Sequence, residues 1–290
     1  MSSTRARCVA GVPGLRALAV VASLAASAGC AGSWAGAHGS AAPDARSFTT
    51  TVLLHGTPMD LHIVSPLQPA SPTIVVYATG DGGWFGTAVD MFRGIAAQGY
   101  RVVGFSARTF LRIERPHHAT LNTRQLAADY GTILSRTRAA LGVPATTPVI
   151  LTGWSRGAAF ATLAASEPEL QAQTRGVVAI GLDADEDLQV DESADDDGPD
   201  ADDEASTVRS LDTYAHLRLL TSMPCAVIQA AHDDYLPAAR ARVLFGPDTA
   251  TRRLYDVAAR NHRFSGGHAA FLSALTSALT WVDDAAPITH

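Results

Sequence analysis

Gly153-Trp154-Ser155-Arg156-Gly157 constrains this chain more than any other stretch. The apolar run Pro148 to Thr152 leads into it, and the alanine-rich run Ala158 to Ala165 leads out. The first reads as a strand and the second as a helix. A chain that passes directly from strand to helix turns tightly, so the flanking positions must be small, and Gly153 and Gly157 supply that. Ser155 then stands exposed at the end of a central strand. Glycine and serine are common, so the pentapeptide alone is a modest signal. A strand before it, a helix after it, and an acid and a histidine downstream make it a strong one.

The rest of the chain repeats the alternation. Phe48 to His55 and Met59 to Ser65, around Gly56-Thr57-Pro58, predict a leading hairpin. Thr73 to Ala78, Tyr100 to Phe105, Val149 to Thr152, Gly176 to Gly181, Met223 to Ala230 and Arg252 to Val257 predict strands. Thr87 with Asp90 suggests a capped helix ending at Gly99, and Asn122 with Gln125 a capping box for a long amphipathic helix ending at Gly142. Gly267 onward reads as a terminal helix. Strands alternating with helices indicate an α/β fold, a mostly parallel central sheet with helices on both faces. The 47% apolar fraction suffices for its core.

A serine hydroxyl becomes a nucleophile when an imidazole takes its proton and a carboxylate orients that imidazole. When the nucleophile sits on such a turn, the chain order is serine, acid, histidine. His232-Asp233-Asp234-Tyr235-Leu236-Pro237 follows a predicted strand and offers the acid. Asp233 is preferred because Asp233-x-x-Leu236-Pro237 matches the usual ending of an acid loop. Asp234 is its rival and Asp183 a remote third. His262 lies between the last strand and the terminal helix, where the base belongs. His268, at the start of that helix, could cap it or line the mouth. The oxyanion donors are expected to be the backbone N–H of Arg156 and that of Asp81, with Gly82 second, in the turn Gly80-Asp81-Gly82. Trp84 and Trp154, with Gly82 and His268, are candidates for contact with substrate.

No cofactor is implied. The Gly80 turn lacks the Gly-Lys-Ser/Thr of a phosphate cradle. No metal cluster is evident either, because His117 and His118 are adjacent without a partnering motif. The net charge of −6, with arginine as the sole strong base, argues against nucleic acid as a partner.

Residues 1 to 30 carry Arg5, Arg7 and Arg16 before the apolar run Ala17 to Ala28, the pattern of a secretory signal. Ser27-Ala28-Gly29-Cys30 resembles a lipid-attachment site, so the expected location is periplasmic or secreted, with an anchor at Cys30 as an option. Residues 31 to 47 read as a flexible tether and 48 to 290 as one domain. Within that domain, Asp183 to Glu204 holds 13 of the 28 acidic residues and no basic one. Such a run reads as a mobile, disordered insert. A solvated spacer is its simplest role; a flap favouring cationic substrates is the sharper one. Its aspartate spacing does not fit a calcium loop, which needs glycine where Leu188 stands. Cys225 reads as buried, and the cysteines form no disulfide framework.

The run YATGDGGW from Tyr77 to Trp84 resembles the VirJ-type bacterial virulence hydrolases. VVGFS from Val102, TRQLAAD from Thr123, GWSRGA from Gly153 and NHRFSGG from Asn261 share the resemblance, which spans roughly residues 70 to 282. It implies an α/β-hydrolase fold, a periplasmic place, and esters such as aminoacylated phosphatidylglycerol as substrates, with peripheral membrane contact. The family's serine, acid and histidine fall on Ser155, Asp233 and His262. Trp154 and Arg156 replace the usual Tyr and Phe of the family's elbow, and the acidic insert is also unlike it. The expected activity is ester cleavage through an acyl-enzyme. The alternative is a non-catalytic binding or secretion-accessory protein on the same scaffold.

Overall fold

The computed structural model describes residues 45–118, 121–188 and 210–285. The signal, the lipid-attachment pattern and nearly all of the tether lie outside these residues, as does most of the acidic run.

Strands β1 (Ala45–Leu54) and β2 (Thr57–Pro66) form the leading hairpin. Its turn is His55-Gly56, with φ of 50° and 83°. Positive φ at both central residues marks the turn whose twist matches the flanking strands. Pro58 therefore lies within β2, opposite Leu53, and not in the turn expected for it. Strand β3 (Ile74–Ala78) leads to helix α1 (Thr87–Ala96), and β4 (Arg101–Phe105) to α2 (Ala107–Glu114) and α3 (Thr123–Leu141). Strand β5 (Val149–Trp154) feeds α4 (Arg156–Ala165) and a single turn, α5 (Pro168–Gln171). Strand β6 (Thr174–Ile180) is followed by the short strands β7 (Asp185–Glu186) and β8 (Leu211–Asp212), then α6 (Thr213–Leu219). Strand β9 (Cys225–Ala230), α7 (Ala238–Phe245), β10 (Arg252–Val257) and α8 (His268–Asp284) complete the order.

Eight strands form one sheet in the order β1-β2-β4-β3-β5-β6-β9-β10. The hairpin is antiparallel and β2 runs antiparallel to β4; every pairing from β4 to β10 is parallel. The registers Ala78 with Gly153, Trp154 with Ile180 and Ile180 with Ile228 bring the carboxyl ends of the central strands level. Ligands bind outside such ends in open α/β sheets. β3 and β9 are buried at every position, so both faces need apolar cover. Phe110, Tyr130, Ile133 and Phe160 cover one face from α2, α3 and α4. Met91, Ile95, Phe271 and Leu279 cover the other from α1 and α8. Each fully buried side chain of this size stabilises the fold by about 1.5–3 kcal/mol.

Helix ends follow local chemistry. Asn122 and Gln125 form the expected reciprocal capping box, and Gly142 closes α3 in the left-handed conformation. Thr87 does not cap α1. It is the first helical residue, and Gly86 occupies the cap with φ 54°. The root of the acidic run, residues 183 to 188, is ordered: β7 pairs with β8, and Leu188 is 1% exposed. Among the described residues no helix is long and apolar enough to cross a membrane.

Candidate active site

Ser155 stands between β5 and α4 with φ 56° and ψ −125°. Holding a non-glycine residue there costs about 1–3 kcal/mol and requires a rigid surround. Its N–H donates to the Ile180 carbonyl at 2.9 Å. A Cβ at Gly153 would lie 2.2 Å from the Gly157 carbonyl, and one at Gly157 would lie 2.1 Å from the Ala78 carbonyl oxygen. Both contacts are with main chain, which cannot swing aside. Gly157→Ala should therefore destabilise the fold by at least the roughly 1–3 kcal/mol typical of overpacking. Urea unfolding measures that loss, and an unchanged midpoint would refute this account of the turn.

Asp233 and His262 approach from the loops after β9 and β10. The main chain fixes these loops through Ala231 N–H to the Val257 carbonyl at 2.8 Å and His232 N–H to the Ala259 carbonyl at 3.1 Å. Asp233 Oδ2 lies 2.8 Å from His262 Nδ1 and accepts from Gln229 Nε2 at 3.2 Å. Its Oδ1 accepts from the N–H of Tyr235 at 3.0 Å and, more weakly, of Leu236 at 3.4 Å. Asp233 is 3% exposed and fully paired. Asp234 points to solvent, and Asp183 accepts from the N–H of Ala184. Of the three candidate acids, only Asp233 meets the imidazole.

The imidazole is held on several sides. The Trp154 ring stacks on it at 5.5 Å, and its indole N–H donates to the His262 carbonyl at 3.2 Å. The Tyr235 ring meets its edge at 4.9 Å. Gly181 adopts φ 58°, and a Cβ there would lie 2.8 Å from His262 Cε1. Gly181 directly follows Ile180, whose carbonyl holds Ser155, so the ring sits beside the elbow. His262 Nε2 is buried and has no hydrogen-bond partner among the described residues. An imidazole oriented through Nδ1 with Nε2 available is suited to take a proton from a nearby hydroxyl.

Gly83 N–H donates to the Gly80 carbonyl at 3.1 Å and closes a tight turn with Asp81 and Gly82 at its tip. A Cβ at Gly80 would lie 3.1 Å from Ser155 Cβ, so this turn packs directly against the elbow. Arg156 opens α4, and its N–H therefore has no intrahelical acceptor. The Arg156 side chain joins the two segments. Its Nε lies 2.8 Å from both Asp81 Oδ1 and Glu186 Oε1.

Glu186 is the member of this group that the sequence reading overlooked. Burial pushes its carboxyl up to about 7, partly offset by Arg156 and reinforced by Asp81 and Asp187. An acid whose pKa is raised on folding binds more protons in the native state, so stability falls as pH rises from 4.5 towards 7. Glu186→Gln should flatten part of that decline. Chemical denaturation at several pH values tests it, and an unchanged slope would contradict the assignment.

The remaining candidates are dispersed. Trp84 stacks on His62 at 4.0 Å and meets Phe92 at 5.0 Å over Gly104. These contacts tie α1 to the hairpin and involve none of Ser155, Asp233 or His262. Trp154 braces His262. Gly82 is exposed and lies against Phe85, and His268 begins α8, half-buried.

The sheet order, the strained serine between β5 and α4, and the Asp233–His262 pair after β9 and β10 together define the α/β-hydrolase fold. Solved structures show the same likeness. The esterase domain of a Rhodothermus marinus protein superposes with a TM-score of 0.54 at 16% identity, covering 82% of this chain and 98% of that one. Dienelactone hydrolase from Anabaena variabilis gives 0.57 at 15% identity, with 82% and 98% covered. An a/b serine hydrolase without lid from Xanthomonas campestris gives 0.53 at 14% identity, with 83% and 97% covered. No curated protein matches the sequence. Residues 72–243 match the family described as bacterial virulence protein (VirJ), and the chain belongs to that family.

Proposed function

We propose that the protein is a serine esterase working through an acyl-enzyme. The observation that carries this reading is the buried 2.8 Å contact of Asp233 with His262, whose Nε2 is left without a partner beside the strained Ser155. Ser155 Oγ attacks the ester carbonyl while His262 Nε2 takes its proton. The N–H groups of Arg156 and Asp81 receive the developing oxyanion. His262 then protonates the departing alkoxide, and water repeats the sequence to release the acid and restore Ser155. Asp233 holds the ring and stabilises its charged form.

The substrates that fit best are lipid esters, with aminoacylated phospholipid heads among them. Phe85, against the Gly82 turn, and Tyr235, against His262, are both 68% exposed and offer apolar surface beside the site. Asp81, with a 61% exposed side chain, offers an ammonium a carboxylate whose charge is shared with Arg156. Labelling with a fluorophosphonate, followed by a panel of short aryl esters and aminoacyl-phospholipids, tests the reading. Absence of both labelling and turnover would favour a binding or secretion-accessory role on this scaffold.

The protein's place is proposed to be the periplasm or exterior, with an anchor at Cys30 as an option. Intact-mass analysis of membrane and soluble fractions should show a chain lacking residues 1 to about 29, and a diacylglycerol mass on Cys30 would establish the anchor. An unprocessed cytoplasmic chain would defeat the export reading, and a soluble processed chain would remove the anchor alone.

A further inference from the structure

A second group of ionisable side chains includes none of Ser155, Asp233 and His262. Glu114 is the last residue of α2, and its carboxylate is fully buried, with no hydrogen bond to either oxygen among the described residues. The main chain makes one more helical turn beyond it, since the N–H groups of His117 and His118 donate to the Glu114 carbonyl at 2.9 and 3.0 Å. This keeps His118 four residues on and on the same side. His55 reaches the group from the β1–β2 turn and Asp129 from α3.

His55 Nε2 lies 3.1 Å from Glu114 Oε2 and 3.5 Å from Asp129 Oδ1, and His118 Nε2 lies 3.9 Å from Glu114 Oε2. The 3.1 Å separation is an ion-pair distance, although its geometry satisfies neither Glu114 oxygen as a hydrogen bond. The ligand atoms of His55, Glu114 and His118 all fall within 4.8 Å of one another. Ligands bound at about 2.0–2.1 Å to a tetrahedral zinc ion stand roughly 3.3 Å apart, so only small side-chain movements separate this arrangement from a coordination shell.

We propose that His55, Glu114, His118 and Asp129 bind a divalent transition-metal ion of the zinc type. Two imidazoles with two carboxylates are a borderline-soft donor set, which favours zinc over calcium or magnesium. Two further observations support the site. Position 55 needs positive φ, which asparagine or glycine usually supplies in this turn; a histidine there accepts backbone strain and directs its ring at the carboxylates. Glu114 and Asp129 are also two buried carboxylates that converge on one atom, His55 Nε2, and a dication would relieve the repulsion of two such charges.

Coordination also demands one rearrangement. The Gln125 amide nitrogen stands 2.8 Å from His118 Nδ1, and its oxygen is committed to the Asn122 N–H. That contact leaves the His118 proton on Nε2. To bind through Nε2 as a neutral imidazole, His118 must move its proton to Nδ1, and so must give up Gln125. His55, which His118 meets edge-on at 5.7 Å, is the neighbouring ring that such a shift would disturb. A bound ion would fasten the leading hairpin to α2 and α3. It would do so at the carboxyl end of the sheet, because β2 runs antiparallel to β4 and its turn projects past that end.

The test uses the full chain stripped with EDTA and titrated with zinc, then cobalt. One equivalent should bind at micromolar or tighter affinity, raise the thermal midpoint, and with cobalt give a visible d–d spectrum. Glu114→Gln, and separately a His55→Ala/His118→Ala pair, should each weaken zinc binding about tenfold or more. The histidine pair guards against a folding defect from the buried substitution, since both rings are partly exposed. Fluorophosphonate labelling of Ser155 should persist in all variants and with EDTA. Absence of saturable binding by the wild-type chain, or binding unchanged in the histidine pair, would overturn the site and leave a cluster held by protons alone.

Discussion

Ser155→Ala is expected to abolish fluorophosphonate labelling and to lower ester turnover by several orders of magnitude without unfolding the protein. Removing one member of a serine–histidine–acid set typically leaves only the rate enhancement supplied by binding and the oxyanion donors, so the lost fraction is large. The fold should survive for a local reason. Only Oγ is removed; the main chain at 155 keeps its bond to the Ile180 carbonyl and its positive φ. Circular dichroism and thermal unfolding should match wild type closely. Turnover near the wild-type rate, or labelling that moves to another serine, would dismiss Ser155 as the nucleophile.

Asp233→Asn is expected to lower kcat by up to about four orders of magnitude, whereas Asp234→Asn should change it little. An asparagine amide facing His262 Nδ1 donates where the carboxylate accepted. It therefore moves the imidazole proton to Nε2, the atom that must receive the serine proton. The other Asp233 partners are also donors, from Gln229 and from the N–H groups of Tyr235 and Leu236, so the substituted amide has no comfortable orientation. Some loss of stability should accompany the kinetic effect. Steady-state kinetics on one aryl ester, with denaturation midpoints for both variants, separates the two consequences. Equal small effects on kcat would remove Asp233 from its assigned role.

Local patterns carried most of what the sequence revealed. The elbow was legible because strand, small residues and helix lie within one short stretch, and the same steric demand appears in the contacts of Gly153 and Gly157. Asp233 was separable from Asp234 because Leu236 and Pro237 mark how the loop ends; Pro237 indeed caps α7. Short helices were harder to see. In α2, Arg108, Arg112 and Glu114 interrupt an apolar stripe of Phe110, Leu111 and Ile113, and α7 is similarly diluted by Arg240 and Arg242. Glu186 could not be picked out of an acidic run, because only its packing against Arg156 distinguishes it from its neighbours. His55 and Glu114 are far apart in the chain and meet through the hairpin, so no spacing rule joins them. Trp84 misled for the opposite reason: a tryptophan beside a glycine-rich turn suggests a ligand, yet the absent side chain of Gly104 is what its ring fills.

The double duty of position 156 has a consequence for genetics. Its backbone N–H is the proposed oxyanion donor, and every substitution there except proline leaves that N–H chemically intact. A library of variants at 156 would, proline apart, score the side chain alone and pass over the donor. What such variants can alter is alignment, because the guanidinium ties the turn bearing Asp81 to the Glu186 strand. Variation at 81, 156 and 186 is therefore expected to be correlated, with a change at one position tolerated only alongside a change at another. That epistasis would be the heritable trace of a main-chain group that side-chain changes other than proline cannot remove.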